Sequence, residues 1–135
     1  MTAEYAKLLE ELIAQVAEAS ASDLHIAVGC HPALRVSGQL IPLTKKSILS
    51  PDDVLGLAEV LMGKEKYEEF LREKEMDFAY AYKDKIRFRV NTYFQRGHVA
   101  IAMRVIPVKI RTLEELGLPL GLTEFADKEQ GFFLV

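Results

Sequence analysis

The tightest constraint on how this chain can fold is a pair of alternating segments joined by a two-residue turn. The first reads Ile86-Arg87-Phe88-Arg89-Val90-Asn91, and the second runs from Val99 to Ile106, with Gln95-Arg96-Gly97-His98 between them. A period of two puts Ile86, Phe88 and Val90 on one face and Arg87, Arg89 and Asn91 on the other. With Arg96-Gly97 as the tip of a two-residue hairpin loop, Phe94 pairs with Val99, Val90 with Met103 and Phe88 with Val105. All the apolar residues then share one face, which is how register is fixed. The same register sets Arg89 directly opposite Arg104, with Cβ atoms about 4.5–5.5 Å apart, and like charges so placed destabilise a sheet. A negative group is expected beside them, and the repulsion is expected to be relieved only when a neighbouring module presents an anion.

Residues 75–82 alternate in the same way, with Met76, Phe78, Tyr80 and Tyr82 on one side. A two-residue loop would turn these aromatics onto the arginine face. An odd loop, Lys83-Asp84-Lys85, aligns Phe78 with Val90 and Tyr80 with Phe88, so the buried face selects it. It also places Asp77 diagonal to Arg89. A plain reading of the arginines is therefore a solvated sheet face partly neutralised by Asp77 and Glu75. The aromatic stripe reads as core, although a stripe of this kind can also line a ligand pocket.

The remaining elements support one α+β domain. Leu8, Leu9, Leu12, Ile13, Val16 and Ala19 form one stripe of a helix over 3–19. Short strands follow at 24–28, 33–36 and 39–43, broken by Gly29-Cys30-His31-Pro32 and Ser37-Gly38. Ser50-Pro51-Asp52-Asp53 starts a helix, with a capping hydroxyl, a proline at the first position and two acids at the positive end of the dipole. It runs to Met62, stops at Gly63, and a charged helix at 64–72 follows. Beyond Pro107 the chain loosens: Gly117, Pro119 and Gly121 interrupt short helical turns at 112–116 and 122–128, as in a linker. The last five residues, Gly131-Phe132-Phe133-Leu134-Val135, are the apolar opening of a buried strand, so the sequence reads as cut from a longer chain.

Composition excludes several classes. The 135 residues are 50% hydrophobic with a net charge of −3, and the pI is near 5.6. That suits a domain with its own core, and lacks the basic balance of a nucleic-acid binder. No apolar run approaches the ~20 residues needed to cross a bilayer, and the first residues carry no signal-peptide pattern. A single cysteine, Cys30, rules out an internal disulfide and points to a reducing, cytoplasmic setting. It reads as a buried or half-buried thiol. His25, Cys30 and His31 match no common zinc spacing, so no metal site is expected.

The motifs, taken in order, resemble the N-terminal part of the type IV pilus and type II secretion motor ATPases, and most of all the pilus retraction (twitching motility) branch. The residues that carry the resemblance begin with Ser22-Asp23-Leu24-His25, Gly29, Pro32, Arg35, Gly38 and Leu40. They continue through Asp77-Phe78, Arg87-Phe88-Arg89-Val90-Asn91, Gln95-Arg96-Gly97 and Met103-Arg104-Val105-Ile106-Pro107. Glu114-Glu115-Leu116-Gly117-Leu118-Pro119 and Gly131-Phe132-Phe133-Leu134-Val135 complete the series.

The resemblance implies a PAS-like N-terminal domain over 1–107, in which helices pack on an antiparallel sheet. It further implies an interdomain linker over 108–130 and, at 131–135, the first strand of a RecA-like ATPase domain whose remainder lies beyond this sequence. In the family that strand runs into the phosphate-binding loop G-x-x-x-x-G-K-[ST], a motif this sequence does not contain. The chain alone is therefore expected not to hydrolyse ATP and to hold no cofactor, whereas the full-length protein would be an ATPase using ATP and Mg. The implied partners are neighbouring subunits of a homohexameric ring and an inner-membrane pilus platform protein, with the motor cytoplasmic and peripheral at that membrane. The resemblance also implies that arginines of this domain approach nucleotide phosphates, in the order Arg89, Arg104, Arg87, Arg96. The short lead of 21 residues before Ser22 favours retraction over assembly or secretion. Two other readings stay open: a ligand-sensing module of PAS-like fold, and an interaction adaptor that pairs through an exposed strand.

Overall fold

The computed structural model describes residues 2–134. The apolar stripe read from the sequence folds as helix α1, Thr2–Glu18, with Leu9, Leu12, Ile13 and Val16 buried. Three short strands follow: β1 (Asp23–Ala27), β2 (Ala33–Val36) and β3 (Gln39–Pro42). Helix α2 spans Pro51–Met62, and its N-terminus carries the full capping box. The Ser50 hydroxyl accepts from the Asp53 amide and the Asp53 carboxylate accepts from the Ser50 amide. Helix α3 (Lys64–Glu73) buries only Phe70. Strands β4 (Glu75–Tyr82), β5 (Ile86–Gln95) and β6 (His98–Ile106) form the second half of the sheet.

All six strands make one antiparallel sheet in the order β3-β2-β1-β6-β5-β4. It consists of two three-stranded meanders joined where β1 lies along β6. The class is α+β, as expected. Both predicted hairpin registers hold: Phe94 faces Val99, Val90 faces Met103 and Phe88 faces Val105 across β5–β6. Across β4–β5, Phe78 faces Val90 and Tyr80 faces Phe88. At the β5–β6 tip, Arg96 and Gly97 both take positive φ, 51° and 81°, as the tightest twist-matched hairpin turn requires.

The helices cover one face of the sheet. Leu24, Ile26, Leu34, Phe88, Val90, Ile101 and Met103 meet Leu12, Ile13, Leu57, Leu61 and Phe70 in a single core. The aromatic stripe of β4 packs partly buried against it, as core. The opposite face carries no helix, and there the polar half of each alternating strand is displayed.

Three expectations need correction. The helix expected at 112–116 is a single turn, closed by Leu116 N–H donating to the Thr112 carbonyl, because Gly117 and Pro119 stop it. The one expected at 122–128 shrinks to a 3₁₀ turn at Leu120–Leu122 and helix α4 at Thr123–Ala126. Cys30 is exposed rather than buried: it lies on the turn between β1 and β2, where its carbonyl, not its thiol, is engaged, accepting from Leu49 N–H. Residues 131–134 form no strand, as expected of a strand opening without the rest of its sheet, and Phe133 folds back to stack on Phe125, with ring centroids 4.4 Å apart. Val135 lies outside the described residues.

Candidate functional site

The uncovered sheet face gathers charge into one row. Register places Arg35 of β2 opposite Asp23 of β1, Asp23 opposite Arg104 of β6, and Arg104 opposite Arg89 of β5. Four neighbouring strands therefore contribute Arg-Asp-Arg-Arg along a line perpendicular to the chain. Asp77 of β4 stands opposite Asn91, one step diagonal from Arg89. The row holds three arginines and two aspartates, and Arg87 adds a further cation two residues along β5 from Arg89. Ala79, Ala100 and Ala102 surround the arginines with small side chains, so nothing on the sheet itself overhangs them.

Arg89 and Arg104 lie opposite one another, as the alternation requires, and both are largely exposed, at 71% and 74% of the side chain. Their repulsion needs no outside anion, and this corrects the expectation that an anion from elsewhere is required. Two local carboxylates supply the negative charge. Asp77 accepts from Arg89 Nε at 3.3 Å and Nη2 at 2.8 Å, a two-pronged grip. Asp23 accepts from Arg104 Nε at 2.9 Å. Asp77 follows from the predicted loop at 83–85, whereas the Asp23 contact is one the sequence reading missed.

The two carboxylates differ in setting. Asp23 is 6% exposed, the one buried charged group among the described residues. The Ser22 hydroxyl donates to its second oxygen at 2.7 Å, and Arg35 Nε stands 3.7 Å from that oxygen. Arg35 is fixed in turn by donating to the Gly38 carbonyl at 3.1 Å. Burial works against ionised Asp23, but the Ser22 and Arg104 hydrogen bonds, with the Arg104 charge and His25 nearby, outweigh it. The carboxyl titrates below its ordinary 3.8. Asp77 is half exposed and is held below the same value chiefly by the hydrogen bond from Arg89, against slight desolvation.

The expected phosphate-contacting arginines are not all together. Arg89, Arg104 and Arg87 share the face. Arg96 sits at the hairpin tip, seven residues beyond Arg89 along an extended strand, and so roughly 23 Å away at about 3.3 Å per residue. Arg35, which heads no expectation, belongs to the row. Among the described residues no group of His, Cys, Asp and Glu could hold a metal ion, and no helix is long and apolar enough to cross a membrane. A cavity of about 840 Å³ lies away from this face, between the end of α1, Ile86, Val105 and the segment from Pro107 to Leu116.

No family model matches the chain. Type IV pilus ATPase PilU of Pseudomonas aeruginosa is 34% identical over 125 residues, covering 93% of this chain and 32% of that protein. Type IV pilus retraction ATPase PilT of the same organism is 34% identical over 134 residues, covering 94% of this chain and 37% of that protein. A crystal structure of the pilus retraction motor PilT with bound ADP superposes with a TM-score of 0.70 at 36% identity, over 87% of this chain and 34% of that one. The chain thus spans about a third of the length of the curated relatives it matches.

Proposed function

We propose that this chain, similar over its length to about a third of the type IV pilus ATPases PilU and PilT, serves as the N-terminal domain of a hexameric motor powering pilus retraction in twitching motility. On this reading residues 1–107 form the domain proper, 108–130 the linker, and 131–135 lead into a RecA-like ATPase domain that binds ATP and Mg. The uncovered sheet face docks against the ATPase domain of the neighbouring subunit, and the motor works in the cytoplasm against a pilus platform protein at the inner membrane. The similarity to the pilus retraction ATPase PilT favours retraction over assembly or secretion.

The observation that carries the proposal is the Arg35-Asp23-Arg104-Arg89 row on a face no helix covers. Four guanidinium groups on this face (Arg35, Arg87, Arg89 and Arg104) outnumber three carboxylates (Asp23, Asp77 and Glu75), so the face remains a net cation after its internal pairs are counted. Guanidinium is the side-chain group best matched to phosphate: its planar fork gives paired charge-assisted bonds to two oxygens at once. An arginine carried in by a neighbouring domain can stabilise the charge that develops on a γ-phosphoryl group in transfer. In this role Arg104 and Arg89 touch nucleotide, with Arg87 beside them. Arg96 is withdrawn from it by distance.

The test is steady-state ATP hydrolysis by the full-length enzyme with Arg89→Ala and Arg104→Ala, alongside nucleotide affinity. Turnover should fall at least tenfold in each variant, with a smaller change in affinity, since the groups act on developing charge. Unchanged turnover in both variants removes the role. The codons that follow Val135 provide a simpler test, because they should encode G-x-x-x-x-G-K-[ST] shortly after the Gly131 strand; a stop codon there would favour the adaptor reading.

A further inference from the structure

The two aspartates in the row grip their arginines in different ways. We propose that they have opposite duties toward an arriving phosphate: Asp23 positions Arg104 to receive it, and Asp77 competes with it for Arg89. The proposal rests on the reading above that these arginines meet phosphate, and it deepens that reading by assigning the control of the site.

Arg104 is held through Nε alone, at 2.9 Å from Asp23 Oδ1. Both terminal nitrogens of its fork lack a partner among the described residues, and the side chain is 74% exposed. Its anchor is rigid. Asp23 is buried, its other oxygen accepts from Ser22 Oγ at 2.7 Å, and Arg35 closes on it from the far side. A buried carboxylate held by Ser22 and Arg35 as well as by Arg104 does not follow Arg104 outward. It orients the guanidinium and leaves the ligand-binding edge open, which lowers the ordering entropy lost when an anion binds.

Arg89 is the reverse case. Asp77 occupies its Nε and Nη2 together, at 3.3 and 2.8 Å. Those are the donors of its side edge, one of the two edges on which a phosphate can make a paired contact; the end edge keeps Nη1 and one Nη2 hydrogen. Asp77 is 47% exposed, and its only side-chain hydrogen bonds among the described residues are those to Arg89. Nothing else holds it in place, so it can be displaced. Asp77 therefore holds the side edge of Arg89 and offsets its charge until a more strongly charged anion displaces the carboxylate, and no proton need move in the exchange.

The two duties predict effects of opposite sign. Charge alone predicts the same sign, because Asp23→Asn and Asp77→Asn each remove one negative charge from the same face and would each tighten anion binding. The experiment titrates the chain with inorganic pyrophosphate at constant ionic strength, following the arginine Nε–Hε resonances by NMR. Asp77→Asn should lower the pyrophosphate Kd about three- to tenfold, the range of a lost carboxylate competitor worth roughly one charge-assisted hydrogen bond. Asp23→Asn should raise it about threefold or more and release the Arg104 Nε–Hε resonance from its wild-type position. Ser22→Ala, which loosens Asp23 without changing any charge, should shift binding in the direction of Asp23→Asn and guards against a folding defect in the latter.

Tightening by both aspartate substitutions overturns the proposal, as does an absence of pyrophosphate-dependent shifts in both the wild type and Asp77→Asn. The controls Arg89→Ala and Arg104→Ala separate the two levels. If binding ignores the arginines, the phosphate reading itself falls. If binding depends on them but the aspartates act alike, only the division of duties falls.

Discussion

Asp23 is where stability and function meet, and Asp23→Asn gives a prediction whose size can be worked out. The substitution preserves shape and removes charge. It weakens a bond from Arg104 at 2.9 Å and one from Ser22 at 2.7 Å. Hydrogen bonds to a charged group are worth about 1.5–3 kcal/mol where both partners are shielded. Arg104 is 74% exposed, so water takes up most of what it loses and its share falls to the ~0.2–1 kcal/mol of a surface pair. The Ser22 contact can re-form in part to the asparagine oxygen. The expected loss is about 1–2 kcal/mol, or roughly 4–7 °C in Tm for a domain of this size.

Its pH dependence has a definite sign. Asp23 titrates below its ordinary 3.8 in the folded chain, while an unfolded aspartate titrates near 3.9. The charge contribution is therefore complete above the unfolded pKa and is lost as pH falls through the folded one. Wild type and Asp23→Asn should differ fully at pH 7 and converge as pH falls through the lowered folded-state value of Asp23. Urea unfolding followed by far-UV circular dichroism suits a chain without tryptophan. A double-mutant cycle with Arg104→Gln should give a coupling of about 0.5–1 kcal/mol. A gap between wild type and variant that stays constant down to low pH would assign the loss to packing. A coupling under about 0.3 kcal/mol would show that the pair is not held as described.

Two further substitutions test the packing that presents this face. Thr92 is fully buried on the core side of β5, and its hydroxyl has no partner among the described residues. Thr92→Val, which keeps the shape and drops an unpaired hydroxyl, should leave stability unchanged or raise it by up to about 1 kcal/mol. A clear loss in urea unfolding would mean the hydroxyl is engaged. Gly56 faces α1 so closely that an added Cβ would stand 2.2 Å from Tyr5 Cδ2. Gly56→Ala should lower stability by about 1–3 kcal/mol, the usual range for overpacking, although alanine is the better helix former by about 1 kcal/mol. A gain in Tm would refute the close α1–α2 approach.

What the sequence disclosed about this site follows the distance between the residues that build it. Arg89 opposite Arg104 and Asp77 diagonal to Arg89 were both derivable, because each pair is joined by a hairpin whose loop length and apolar face leave one register. The elements at 2–18 and 51–62 were equally plain, from a continuous apolar stripe and a capping box. Asp23 reaches Arg104 by another route: the contact spans 81 positions and depends on β1 lying against β6 rather than at an edge. No turn between the two strands fixes that choice, so local pattern could not supply it. Yet half of the signal was present. Asp23, His25 and Ala27 alternate with Leu24 and Ile26, which already assigned the aspartate to the polar face of its strand. What was missing was the neighbour, and that omission changed the chemistry inferred. With β1 placed elsewhere, Arg89 and Arg104 form a pair that lacks enough counter-charge and must wait for an outside anion. With β1 beside β6, they become a pair already balanced, one arginine held open by a buried carboxylate and the other closed by a mobile one. The arginines' functional reading thus shifts from relief of repulsion to exchange of partners, which requires any arriving phosphate to outcompete Asp77.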